Sequence, residues 1–144
     1  MKSWRSATSR LSLWAAALWW GSLSTIGLLV VPLLFVHLPT PAMAGAMAGK
    51  LFTAQTWVSS GCALLLLLKS RAGSLSVPEL PARPALIFIV GGMLLALLLE
   101  FAVAPRIIAR ENLKLWHSVG SAMYVLQWLC AGAVLWKASS RCSA

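Results

Sequence analysis

Apolar residues occupy the chain in four long runs, Leu11 to Val36, Leu51 to Leu68, Pro84 to Ala104 and Leu115 to Trp136, and the charges fall almost wholly between them. An α-helix needs about 20 apolar residues to cross roughly 30 Å of hydrocarbon. The pattern therefore predicts an all-α membrane protein. One domain over residues 1–144 forms a four-transmembrane-helix bundle, with helices at about 11–37, 41–69, 84–104 and 112–137. Between the first two runs, Pro39-Thr40-Pro41 predicts a turn in which Thr40 caps a helix starting at Pro41, where a missing N–H costs nothing. The interval Lys69 to Arg83 carries Gly73, Ser74, Ser76, Pro78 and Pro81 and predicts a loop. Although Lys2, Arg5 and Arg10 precede the first run and Ala42-Met43-Ala44 resembles a cleavage site, the run exceeds the about 7–15 residues of a secretory leader's apolar region. It is expected to stay in the membrane.

Within the runs, small and polar side chains recur at helical spacing. The rows are Gly21, Ser22, Thr25 and Pro32 in the first helix, then Gly45, Gly49, Thr53, Thr56, Ser60 and Ala63 in the second. In the third they are Gly92, Ala96, Glu100 and Ala104, and in the fourth Lys114, His117, Ser118, Ser121, Tyr124 and Trp128. Lipid tails give helices no hydrophobic reason to associate, so membrane bundles rely on close packing at small residues and on interhelical hydrogen bonds. Gly21, Gly45, Gly49, Gly92 and Ala96 are therefore the expected packing positions, and Pro32 predicts a kink. Cys62 and Cys130 lie off these rows and are expected to be apolar fillers.

Composition strengthens the membrane reading. The chain is 60% hydrophobic and 10% charged, and its mean hydropathy of +0.84 is far from that of a soluble domain. The net charge of +9 would in a soluble protein raise nucleic acid as a partner. Here the basic residues flank apolar runs, where they set topology and meet lipid head groups, and no nucleic-acid partner is expected. Lys2, Arg5, Arg10, Lys69, Arg71, Arg83, Lys137 and Arg141 fall on one side, and Lys50, Arg106, Arg110 and Lys114 on the other. That bias predicts both termini in the cytoplasm. Cys62, Cys130 and Cys142 form no metal-type pair and predict no disulfide framework. Of the eight tryptophans, Trp4, Trp14, Trp57 and Trp136 are expected as interface anchors, while Trp19, Trp20 and Trp128 lie deeper.

Taken in order, Trp20-Gly21-Ser22, Val31-Pro32 with Leu34-Phe35, Ala44-Gly45 through Phe52, Pro105, and Trp116-His117-Ser118 with Ser121 and Tyr124 span most of the chain. Their order and spacing resemble the transmembrane-protein-205-like family, a domain of unknown function. The resemblance implies a small four-helix protein of the bacterial inner membrane. It implies no mechanism.

Chemistry must come from the residues. Glu100 is the only acid inside an apolar run, and a carboxylate at that depth must find a partner or be neutralised. On the expected topology His37, Lys50, Glu100 and His117 converge on the outer face with Arg106 nearby. Glu100 is expected to face the bundle and to pair with Lys50 or His117, and failing those with Arg106. The structural expectation is that this cluster fixes the helix ends in register. The functional alternative is a cation or proton site that also draws on Met43 and Met47, although no metal-ligand spacing is present and no metal or cofactor is expected. No nucleophile with an adjacent base, no second intramembrane acid and no phosphate loop can be assembled, so no catalytic residues and no enzyme are expected. The function class is a non-enzymatic membrane protein with a structural or accessory role, partnered by the bilayer and by further copies or another membrane protein. The alternative is an oligomeric transporter or cation-binding protein built on the outer cluster.

Overall fold

The computed structural model describes residues 2–74 and 83–140, with side chains over 10–70 and 85–140. Helix α1 is built of Lys2–Ser24, a π-helical segment Thr25–Val30 and a final stretch Val31–His37. A short turn leads into α2, Pro41–Ser74. Helix α3 is built of Arg83–Leu98, a second π segment Leu99–Val103 and Ala104–Ile108, and α4 is Leu113–Ser140. Four stretches are long and apolar enough to cross a membrane: Arg10–His37, Pro41–Ser70, Ala85–Ile108 and Leu113–Ser140. Every described element is helical.

Two boundaries differ from the sequence expectation. Helix α2 continues through Lys69 to Ser74, so only residues 75–82 of the expected loop remain, and they lie outside the described residues. Helix α3 does not stop at Ala104. Pro105 sits at the start of the short stretch Ala104–Ile108, where its missing N–H is tolerated and its fixed φ suits a helix.

The two π segments share one cause. Pro32 and Pro105 each follow a π segment by two residues, and a proline ring crowds the carbonyl four residues earlier while removing one rung of the ladder. Those crowded carbonyls belong to Leu28 and Phe101, each inside its π segment. Widening the turn to i→i−5 pairing relieves the crowding. Accordingly, the Val31 N–H donates to the Ile26 carbonyl and the Ala104 N–H to that of Leu99.

The helices close a ring in which α1 packs on α2, α2 on α3, α3 on α4 and α4 on α1. Helices α1 and α3 thus face each other across the centre, as do α2 and α4. Both tight turns lie at one end of the bundle, the turn end, and residues 10 and 140 lie at the other. The α3–α4 turn closes a Schellman motif, the Glu111 N–H reaching the Arg106 carbonyl at 3.1 Å and the Arg110 N–H that of Ile107 at 3.1 Å. Arg110 holds the left-handed position there with φ 57. An apolar core of Ala16, Trp19, Leu23, Ala63, Leu66, Ile89, Ala131 and Val134 fills the bundle below this end. The large side chains Leu28, Ile87, Phe101, Ile108 and Val125 point outward, as a lipid-facing surface requires.

Candidate functional site

Three contacts cross the centre of the ring. The Trp19 indole on α1 lies against Gly92 on α3, where a Cβ would stand 2.8 Å from Cζ2 and Cη2. Between α2 and α4, Phe52 meets Tyr124 edge-on at 5.3 Å between ring centres. One turn deeper, the Gln127 amide donates to Ser59 Oγ at 3.0 Å. The Gln55 amide donates to the same Ser59 oxygen at 3.2 Å and to Ser22 Oγ on α1 at 2.9 Å, and Ser22 in turn donates to the Trp19 carbonyl. A hydrogen-bonded chain therefore runs α1–α2–α4 through the bundle interior. Its members on α2 and α4 are buried, Gln55 at 3%, Ser59 at 0% and Gln127 at 2% exposed, so an unpaired amide there would carry its full desolvation cost.

The turn-end half holds two further polar contacts, one at each π segment. At the first, Tyr124 Oη donates to the Leu23 carbonyl at 2.8 Å. Gly27 makes room for it, since a Cβ there would stand 2.7 Å from the tyrosine Cε1. Nearby, Trp128 Nε1 donates to Ser24 Oγ at 2.8 Å, and Trp128 stacks at a tilt on Trp20, 5.6 Å between ring centres. At the second π segment, Thr53 Oγ1 donates to both oxygens of Glu100, at 2.9 and 3.1 Å.

The expected outer cluster is not brought together. Glu100 does face the bundle, but its partner among the described residues is the Thr53 hydroxyl, and neither Lys50, His117 nor Arg106 forms an ion pair with it. Both histidines are exposed and turn back on their own helices, His37 Nδ1 to the Leu33 carbonyl and His117 Nδ1 to the Leu113 carbonyl, each at 3.0 Å. Arg106 lies over the Trp116 ring, 4.3 Å from its centre. Lys50 is exposed, as are Met43 and Met47. The physical reason is reach: each of these side chains is exposed on its own helix, whereas Glu100 meets Thr53 across the contact of α2 with α3. Among the described residues no group of three His, Cys, Asp or Glu side chains could hold a metal ion.

The packing positions divide in the same way. Gly92 and Ala96 are buried at helix contacts. Gly45 and Gly49 are exposed, and a Cβ at either, or at Gly21, would meet nothing within 4 Å. The buried residues of α2 are instead Ala44, Ala48, Gln55, Thr56, Ser59, Cys62, Ala63 and Leu66, which keep Thr56 and Ala63 of the expected row and otherwise lie about a third of a turn away from it. Cys62 is thereby in the core and not beside it. On α4 the buried row is Gln127, Ala131 and Val134, while Lys114, His117, Ser118 and Ser121 are exposed. Gln55, Ser59 and Gln127 were the residues that small-residue spacing missed. One signal marks two of them: Gln55 and Gln127 are the only glutamines of the chain and both lie inside apolar runs, where an amide must find a partner. Trp57, expected near a segment end, projects outward from the middle of α2.

Four apolar spans joined by tight turns, with amides and hydroxyls turned inward onto one another, define a multi-pass integral membrane protein. The chain belongs to the family described as a domain of unknown function, DUF4149, whose family model matches residues 14–115. That range takes in α1 to α3 and the first residues of α4. No characterised protein and no solved structure matches the chain.

Proposed function

We propose that the protein is a non-enzymatic structural or accessory component of the bacterial inner membrane, with both termini in the cytoplasm. The carrying observation is the use made of its interior polar groups: Ser22, Gln55, Ser59, Gln127, Tyr124 and Trp128 are committed to bonds between helices. A bundle so committed is built to persist, and its outward apolar face is where it meets lipid or a partner. The resemblance to the transmembrane-protein-205-like family is compatible with this role and adds no activity to it. The rival reading, an oligomeric transporter using His37, Lys50, Glu100, Arg106 and His117, needs side chains to converge that lie apart.

Purification in mild detergent with mass and metal measurement, followed by reconstitution into liposomes, tests the proposal. The accessory role predicts a particle free of transition metals that leaves the liposomes tight to small solutes. A symmetric oligomer that passes solute would overturn it.

A further inference from the structure

The chain is organised as two similar helical hairpins, and the comparison between them isolates Glu100. One spacing separates Pro32 from Pro105, Trp19 from Gly92 and Gly27 from Glu100; a spacing one residue shorter separates Phe52 from Tyr124 and Gln55 from Gln127. Each helix of α1–α2 thus has its counterpart in α3–α4, and several counterparts touch across the centre of the ring. In the first hairpin the π segment is plugged by a phenol from α4, at a glycine that admits it. In the second, the position equivalent to Gly27 is Glu100, and the position equivalent to Tyr124 is Phe52, which has no hydroxyl to give.

We infer that Glu100 and Thr53, at the π segment of α3, form a binding site for an alkali cation that is reached from the turn end of the bundle. This goes beyond the accessory role. An ionised Glu100 would place one negative unit about 12 Å along the helix from its end at Ile108. A single hydroxyl shared by both carboxylate oxygens does not neutralise it, and among the described residues no basic group is paired with it. A carboxylate left bare in an apolar span costs several kcal/mol. One negative charge calls for a monovalent ion, and the donors are all hard oxygens, which select alkali metals over copper or zinc. Pro105 has no N–H, so the rung it would give to a carbonyl of the same π segment, that of Glu100 or Phe101, is missing. Toward the turn end, Ala42, Ala46 and Gly49 share the face of Thr53 and are exposed.

Thermal unfolding of the full chain in detergent is the test, in sodium chloride against choline chloride at equal ionic strength. The wild type is expected to gain several degrees, saturably, as sodium replaces choline. Glu100→Gln should lose that dependence, and Thr53→Val should need several-fold more sodium while Thr53→Ser behaves as wild type. The Thr53 pair serves alone if Glu100→Gln does not fold. Identical curves in sodium and choline would overturn the site. So would a sodium response that survives Glu100→Gln, or stabilisation on acidification with none from sodium, which would make the occupant a proton, or pairing of Glu100 with Lys50 of a second copy in a sodium-insensitive dimer.

Discussion

The two π segments share a backbone and differ in what meets them. Both arise where a proline crowds the carbonyl four residues before it, Pro32 in α1 and Pro105 in α3. At the first, a glycine opens a slot and the Tyr124 hydroxyl closes it against the Leu23 carbonyl. At the second, the equivalent position carries Glu100, which extends to Thr53. The same widened turn is therefore a lock in one hairpin and a charged site in the other. Shape of the backbone follows from the proline; chemistry follows from the single residue five places before it, Gly27 or Glu100.

The largest effect is expected where the lock would be forced open. Gly27→Leu places a side chain on Tyr124, and the overpacking should cost about 1–3 kcal/mol on top of the lost hydrogen bond; chemical denaturation in detergent checks it, and an unchanged midpoint would remove the slot from the account. Gln127→Leu comes next, with about 1–2 kcal/mol expected from breaking the α2–α4 bond to Ser59. Tyr124→Phe makes the first hairpin resemble the second at this position, and should lose roughly 1 kcal/mol while leaving the ring contact with Phe52 in place. The smallest effect belongs to exposed glycines. Gly45→Leu and Gly49→Leu should shift stability by less than about 0.5 kcal/mol, and Cys62→Leu, in the core, should cost more than either. Equal losses at all three positions would show that the α2 face has been assigned wrongly.

How much of this was legible in the sequence depends on which physical rule governs each feature. The four spans follow from the length of apolar runs, and the turn at Pro39-Thr40-Pro41 from its residue types. In α3, Gly92 and Ala96 could be read from spacing because they lie where a neighbour does pack. In α2, Gly45 and Gly49 could not: their spacing permits close approach without saying that a helix is there to approach, and the side that packs is set by Gln55 and Ser59, whose amide and hydroxyl must be satisfied. The inward direction of Glu100 was readable from its row. Its partner was not, because basic side chains at helix ends can turn outward, whereas Thr53 is fixed opposite the carboxylate by the packing of α2 on α3. Neither π segment was foreseen, although both prolines stood in view.

The central claim is that Glu100 is held by Thr53 and by no base among the described residues of its own chain. A double-mutant cycle measures this, with Thr53→Val, Glu100→Gln and the double variant unfolded under one set of conditions, and a parallel cycle pairing Glu100→Gln with Lys50→Met. The account predicts a coupling energy of about 0.5–2 kcal/mol for Thr53 with Glu100, in the range of hydrogen bonds between membrane helices, and none within error for Lys50 with Glu100. Additive losses in the Thr53 cycle together with coupling in the Lys50 cycle would contradict it.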